Sequence, residues 1–242
     1  MSRLIVTTSW DDGSKEDLRL SELLAEYGMK GTFYVPKSHQ RAEPLREEEI
    51  LIVAQKHEIG AHTLGHVDLT SVTAEQAQAE IAGSKAYLEN ILGKSVRMFC
   101  YPYGRHNPRT KEIVASCGFR GARTLNYTKL GTVTDPYEFG VTLHASDSSP
   151  RTTLRIWRDY GMSLRFLLNW ETRAKLLFQL ALTEGGVWHL WGHSWEISGR
   201  RDWDRLERVL DYVSRRDGAL YATNAEAVDI CLSEIGRVPH ST

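Results

Sequence analysis

Leu4-Ile5-Val6-Thr7-Thr8-Ser9-Trp10-Asp11-Asp12-Gly13 opens the chain with a short β-like run that ends on two adjacent carboxylates. An amphipathic segment follows, with Leu20, Leu23, Leu24 and Tyr27 at i, i+3, i+4 and i+7 and Gly28 placed to stop a helix. Neighbouring carboxylates at a strand end resist joint ionisation unless a cation or a proton sits between them. A metal ion relieves that repulsion: one carboxylate coordinates it and the other stays free to move protons. Asp-Asp-Gly alone is also an ordinary turn, so the metal reading requires partners elsewhere in the chain.

Outward from this stretch, strand and helix patterns alternate. Lys30 to Pro36 reads as a strand, and Glu47 to Lys56 as a helix with three acidic residues in its first turn. His57 to His62 resembles a short strand, and Thr73 with Gln76 forms a capping box for a helix reaching Leu92. Val96 to Tyr101 is a further strand, followed by the turn Pro102-Tyr103-Gly104 and a helix opened by Asn107-Pro108. Phe119 to Thr124 is strand-like. Asn126 to Thr153 is irregular, with one strand around Gly140 to Leu143. A long helix is expected over Leu164 to Leu182, then a strand over Gly186 to Gly192. Leu206, Val209, Leu210 and Val213 mark the inner face of the next helix, and a strand at Ala219 to Thr223 precedes a terminal helix capped by Asn224. Such alternation predicts an α/β fold, a parallel sheet or barrel coated by helices, with its active site at the C-terminal strand ends.

A chain of 242 residues suits one domain spanning 1–242. Its 41% hydrophobic and 25% charged residues are the balance of a soluble globular protein. A net charge of -1 argues against nucleic-acid or membrane-surface partners. Cys100, Cys117 and Cys231 are too scattered for a disulfide framework or a Cys-x-x-Cys metal site. The N-terminus lacks the basic and apolar regions of a signal peptide, and no apolar run approaches the roughly 20 residues of a membrane span. A cytoplasmic protein is the resulting expectation.

The partners that Asp11 and Asp12 require fall where a barrel would put them. His62-Thr63-Leu64-Gly65-His66 carries two imidazoles four residues apart, after the third strand. Two histidines and one carboxylate make a catalytic metal shell that leaves open positions for water and substrate. Near the end, Trp188-His189-Leu190-Trp191-Gly192-His193 is a strand with two histidines of the same parity. His193 lies nearest the C-terminal end, and His189 suits a packed position inside an apolar strand.

These stretches resemble the polysaccharide deacetylases, the NodB-homology or carbohydrate esterase family 4 group. Ser9-Trp10-Asp11-Asp12-Gly13 is similar to their Thr-Phe-Asp-Asp-Gly motif, and His62-Thr63-Leu64-Gly65-His66 to their His-(Ser/Thr)-x-x-His motif. The resemblance implies a distorted (β/α) barrel with about seven parallel strands. It implies Asp11 as the base and Asp12, His62 and His66 as ligands of a divalent metal, most often Zn2+. The third motif, usually Arg-x-Pro-Tyr, is matched by Cys100-Tyr101-Pro102-Tyr103, with Cys100 where the arginine that orients the base belongs. Arg105 and Arg97 are the candidates to replace it. The Tyr103 backbone N–H would serve in an oxyanion hole, and His193 would protonate the leaving amine. The fourth motif, an Asp-and-Trp segment, has no clean match; Asp147 is the candidate, though a plain loop is the commoner reading. The function implied is metal-dependent removal of an N-acetyl group from an amino sugar or small oligosaccharide. The alternatives are hydrolysis of another C–N amide bond, such as a cyclic amide, and a non-catalytic carbohydrate-binding relative in which Trp188, Trp191 and Trp195 stack on sugars.

Overall fold

Apolar and β-branched residues make β1 (Leu4–Asp11) a strand buried along its whole length. That burial fits a strand with helices on one face and a barrel interior on the other. The structure, a computed structural model, describes residues 3–39, 41–127, 130, 133–147, 149–161 and 169–235. On one side of β1 lie β2 (Gly31–Val35), β3 (Glu58–Ala61), β4 (Met98–Cys100), β5 (Gly121–Tyr127) and β6 (Phe139–Val141), in that order. On the other lie β8 (Gly186–Gly192) and then β7 (Leu143–His144), and β9 (Ala219–Tyr221) pairs with the start of β1. All these pairings are parallel.

The irregular stretch closes the barrel. β6 pairs with β5 and β7 with β8, and only Thr142 separates the two in sequence. Thr142 donates its N–H to the His189 carbonyl at 2.9 Å, so one continuous segment bridges both ends of the sheet. The described residues thus form nine strands in a near-closed parallel barrel, against about seven expected. The pattern along the chain offers eight strand segments, and the ninth arises because the single strand expected around Gly140 is split at Thr142 between two partners.

Helices cover the outside. α1 (Asp17–Glu26), α2 (Glu47–Ala54), α3 (Ala74–Leu92) and α4 (Pro108–Ser116) fall where the periodicity puts them. Thr73 and Gln76 cap α3 reciprocally, at 3.2 and 3.0 Å, and Gly93 ends it in the left-handed region at φ 61. Asn107 caps α4 through Thr110 N–H at 3.0 Å. The helix α5 (Pro150–Tyr160) starts at the end of the stretch read as irregular, Asn126 to Thr153, and continues where no element is expected; Ser149 caps it and Gly161 stops it. The long helix expected from Leu164 is α6 (Trp170–Glu184), capped by Asn169; positions 164–168 lie outside the described residues. α7 (Ser194–Gly199), α8 (Trp203–Val213) and α9 (Asn224–Ile235) complete the layer. Leu206, Val209, Leu210 and Val213 of α8 are fully buried, as their spacing requires. Among the described residues no helix is long and apolar enough to cross a membrane.

His189 is a structural pin of this barrel. Its Nδ1 meets the Gly140 carbonyl at 2.9 Å, and its Nε2 accepts from the Ser9 hydroxyl at 2.8 Å. The ring therefore ties β8 to β1 and β6 as a neutral imidazole. Burial, reinforced by the Arg123 charge, pushes its pKa from 6.5 down to about 3. Between those values the unfolded chain binds a proton that the folded chain does not, so stability should rise with pH across that window. His189→Gln is expected to flatten this part of a stability-versus-pH curve measured by urea unfolding between about pH 4 and 6.

Candidate active site

The end of β1 sends two carboxylates in different directions. Asp12 and Gly13 both take positive φ, 78 and 60. A Cβ on Gly13 would stand 2.8 Å from Val35 Cγ1, so only glycine fits this turn beside β2. Thr63 and His66 also adopt positive φ, 64 and 53, which curls the loop after β3 back toward Asp12. Glu80 of α3 holds that loop by accepting from the N–H groups of Leu64 and Gly65, at 2.8 and 2.9 Å.

Asp12 Oδ1 lies 3.3 Å from His66 Nε2 and 3.9 Å from His62 Nε2. It is buried and has no hydrogen-bond partner, a costly state for a carboxylate oxygen unless a cation meets it. Donors about 2.0–2.2 Å from a tetrahedral ion stand roughly 3.3–3.6 Å apart, close to this spacing. His62 Nδ1 donates to the Cys100 carbonyl at 2.8 Å, leaving the Nε2 lone pair facing Asp12. Burial and the neighbouring His62 push the His66 pKa down to about 4, so both rings are neutral and able to ligate. The other oxygen, Asp12 Oδ2, accepts from Trp195 Nε1 at 3.1 Å. His39 adds a further imidazole, with Nε2 3.8 Å from Oδ2.

Asp11 is separately held. Burial pushes its pKa up, but Arg123, and after it His62 and His193, outweigh burial and keep the carboxyl below its usual range. Arg123, fully buried on β5, donates to Asp11 Oδ1. Neither proposed substitute for the missing arginine serves: Arg105 pairs with Asp68 at 2.6 Å, and Arg97 pairs with Asp229. Arg123 pairs in register with Cys100, so the cation has moved one strand across the sheet at the same level. Asp11, His62 and Cys100 form a second conceivable metal set. Burial holds the Cys100 thiol far from ionisation and Arg123 occupies Asp11, which leaves that set a poor ligand.

His193 follows β8, with Nε2 3.7 Å from Asp12 Oδ2 and Nδ1 3.2 Å from Glu196 Oε2. Burial disfavours its charge, but Glu196, Asp11 and Asp12 together raise its pKa. Glu196 is thus the carboxylate that faces His193 Nδ1. The Asp147 carboxylate instead accepts from Ser149 N–H at 2.6 Å and closes the turn before α5. Tyr103, at φ 59 in a tight turn, packs its ring edge against His66. With Asp11, Asp12, His62, His66 and His193 it lines a cavity of about 140 Å³. A larger cleft of about 570 Å³ between α1 and α7 lacks such convergent titratable groups. Trp188 and Trp191 are buried, and the half-buried Trp195 donates its N–H to Asp12.

The model of the polysaccharide deacetylase family matches residues 2–122, half of the chain. The chain belongs to the polysaccharide deacetylase family. Chitin deacetylase 1 of Cryptococcus neoformans is 32% identical over 123 residues, 50% of this chain and 25% of that protein. The chain spans less than half the length of the curated relatives it matches. A Mycobacterium smegmatis structure assigned to the polysaccharide deacetylases superposes at TM-score 0.68 with 19% identity, covering 97% of this chain and 92% of that one. A Clostridium thermocellum family 4 acetyl xylan esterase, in complex with a cobalt ion, does so at 0.59 with 18% identity, covering 93% and 91%. These likenesses bear out the distorted (β/α) barrel of NodB type. In this polysaccharide deacetylase chain the matched segment ends one residue before Arg123, so Arg123, His193 and Glu196 all lie outside it. The stretch Phe119 to Thr124 holds two arginines, Arg120 and Arg123, and their places in the sequence do not mark Arg123 as the one turned toward Asp11.

Proposed function

We propose that the chain is a metal-dependent hydrolase that releases acetate from an N-acetylated amino sugar or small oligosaccharide. One observation carries this reading: the orphaned Asp12 Oδ1 faces two neutral imidazoles beside a second carboxylate that is held ionised. Asp12, His62 and His66 would hold the cation, and zinc suits that donor set. When bound, it supplies Lewis acidity that polarises the acetyl carbonyl and makes water a stronger acid.

The chain's own residues do the rest. Asp11 uses Oδ2 to take the proton of the attacking water, because Arg123 holds Oδ1. The Tyr103 backbone N–H donates to the oxygen that gains charge as the carbonyl is attacked. His193 presents Nε2–H to the nitrogen of the breaking C–N bond, and the amine leaves with that proton. Glu196 keeps the His193 ring oriented through Nδ1. The small cavity suits an acetyl group whose sugar stays outside. Cryptococcus chitin deacetylase, by its name, acts on an N-acetylated amino-sugar polymer, which supports that substrate class.

Treatment with a chelator is expected to abolish acetate release from N-acetylglucosamine oligosaccharides, and zinc or cobalt should restore it. Undiminished release after the metal has been removed, checked by elemental analysis, would contradict the proposal. Cyclic amides tested in the same assay are expected to remain uncleaved.

A further inference from the structure

We propose that Glu196, His144 and His193 form a second divalent-cation site, and that filling it switches the enzyme off. The proposal rests on the reading of His193 as the acid. Glu196 Oε2 lies 3.3 Å from His144 Nε2 and 3.2 Å from His193 Nδ1. All three donor atoms lie within 4.8 Å of one another. These separations match the edge of a tetrahedral zinc shell, roughly 3.3–3.6 Å, at least as closely as those around Asp12 do. The donor set is also the same, two imidazoles and one carboxylate. The side chains of His144, His193 and Glu196 keep 12%, 16% and 21% of their surface exposed, so an ion reaches them from solvent. His144 is fixed edge-on against Trp191, with ring centroids 4.3 Å apart.

His193 belongs to both sites, one nitrogen to each. Nε2 faces Asp12 and Nδ1 faces Glu196. A cation on Nδ1 displaces the proton there, which leaves to solvent. The ring then retains a single proton, on Nε2, and can no longer exist as the doubly protonated acid that a leaving amine requires. Asp12 Oδ1 has no hydrogen bond to give up, whereas a cation at Glu196 must displace its bond to His193 Nδ1, so the Asp12 site fills first; the charge bound there then repels a second cation, which binds more weakly.

Zinc alone, titrated into the chelator-stripped protein by equilibrium dialysis, is expected to show two equivalents, the second weaker. His144→Gln and Glu196→Gln should each bind one. As the second equivalent binds to the wild type, kcat should fall about 10²-fold or more with little change in KM. His144→Gln, compared with its own rate at one equivalent, should not respond to excess zinc. A thermal unfolding transition like that of the wild type establishes that each variant is folded. A single equivalent in the wild type, an unchanged second equivalent in His144→Gln, or a filled second site without loss of kcat would each overturn the proposal. The zinc count does not depend on activity, so failure of the hydrolase reading would show separately, as acetate release that survives chelation.

Discussion

Asp11→Asn is expected to lower kcat for acetate release by at least ~10²–10⁴-fold while the protein still binds its first zinc. Arg123 holds Asp11 Oδ1, so this carboxylate is not required for the shell formed by Asp12, His62 and His66. Asparagine keeps an acceptor for Arg123 but has no basic oxygen to take a proton from water. Its neutral side chain also leaves the buried Arg123 charge uncompensated, so some loss of stability accompanies the loss of turnover. Measuring kcat and zinc content on the same sample separates the two roles: near-normal turnover would remove Asp11 as the base, and lost zinc would make it a ligand.

Arg123→Met should be the most damaging single change outside the ligand set. It strands the Asp11 carboxylate in a buried site, and breaking a buried ion pair from one side costs about 3–5 kcal/mol. The guanidinium also lies over the rings of Tyr34 and Trp191, 5.3 and 5.0 Å from their centroids, and those contacts go with it. Urea unfolding measures the loss. The pH dependence follows with a definite sign. In the wild type the folded pKa of Asp11 lies below 3.8, so its stabilising contribution is present above 3.8 and disappears as pH falls through the folded value. Without Arg123, burial is no longer offset and that pKa rises. The acidic limb of kcat/KM should therefore move to higher pH, because the base must be ionised to act. An unshifted limb together with unchanged stability would show that the pair does neither job.

The halves of this protein differ in how far their residues declare themselves. β1, β2, β3 and the helices between them follow from period and capping, because each strand is buried on both faces and each helix is amphipathic. Asp12, His62 and His66 were legible because contiguous motifs place them at strand ends. Arg123 was not, since its link to Asp11 is a matter of strand register, Cys100 opposite Arg123, which sequence spacing does not encode. Glu196 stands three residues after His193 and is not marked by any strand or motif, because one turn of α7 is needed to bring its carboxylate back to Nδ1. The barrel closure at Thr142 was hidden for a similar reason: very short strands with different partners leave no periodicity to read.

In the proposed site Asp12, His62 and His66 clasp one cation while Asp11, held by Arg123, stays outside the shell. X-ray absorption at the zinc edge, on protein loaded with a single equivalent, tests this most directly. Only nitrogen and oxygen neighbours at about 2.0–2.2 Å, two of them imidazole, are predicted. A sulfur neighbour at about 2.3 Å would put Cys100 in the shell with Asp11 and His62, and the proposed base would then be a ligand.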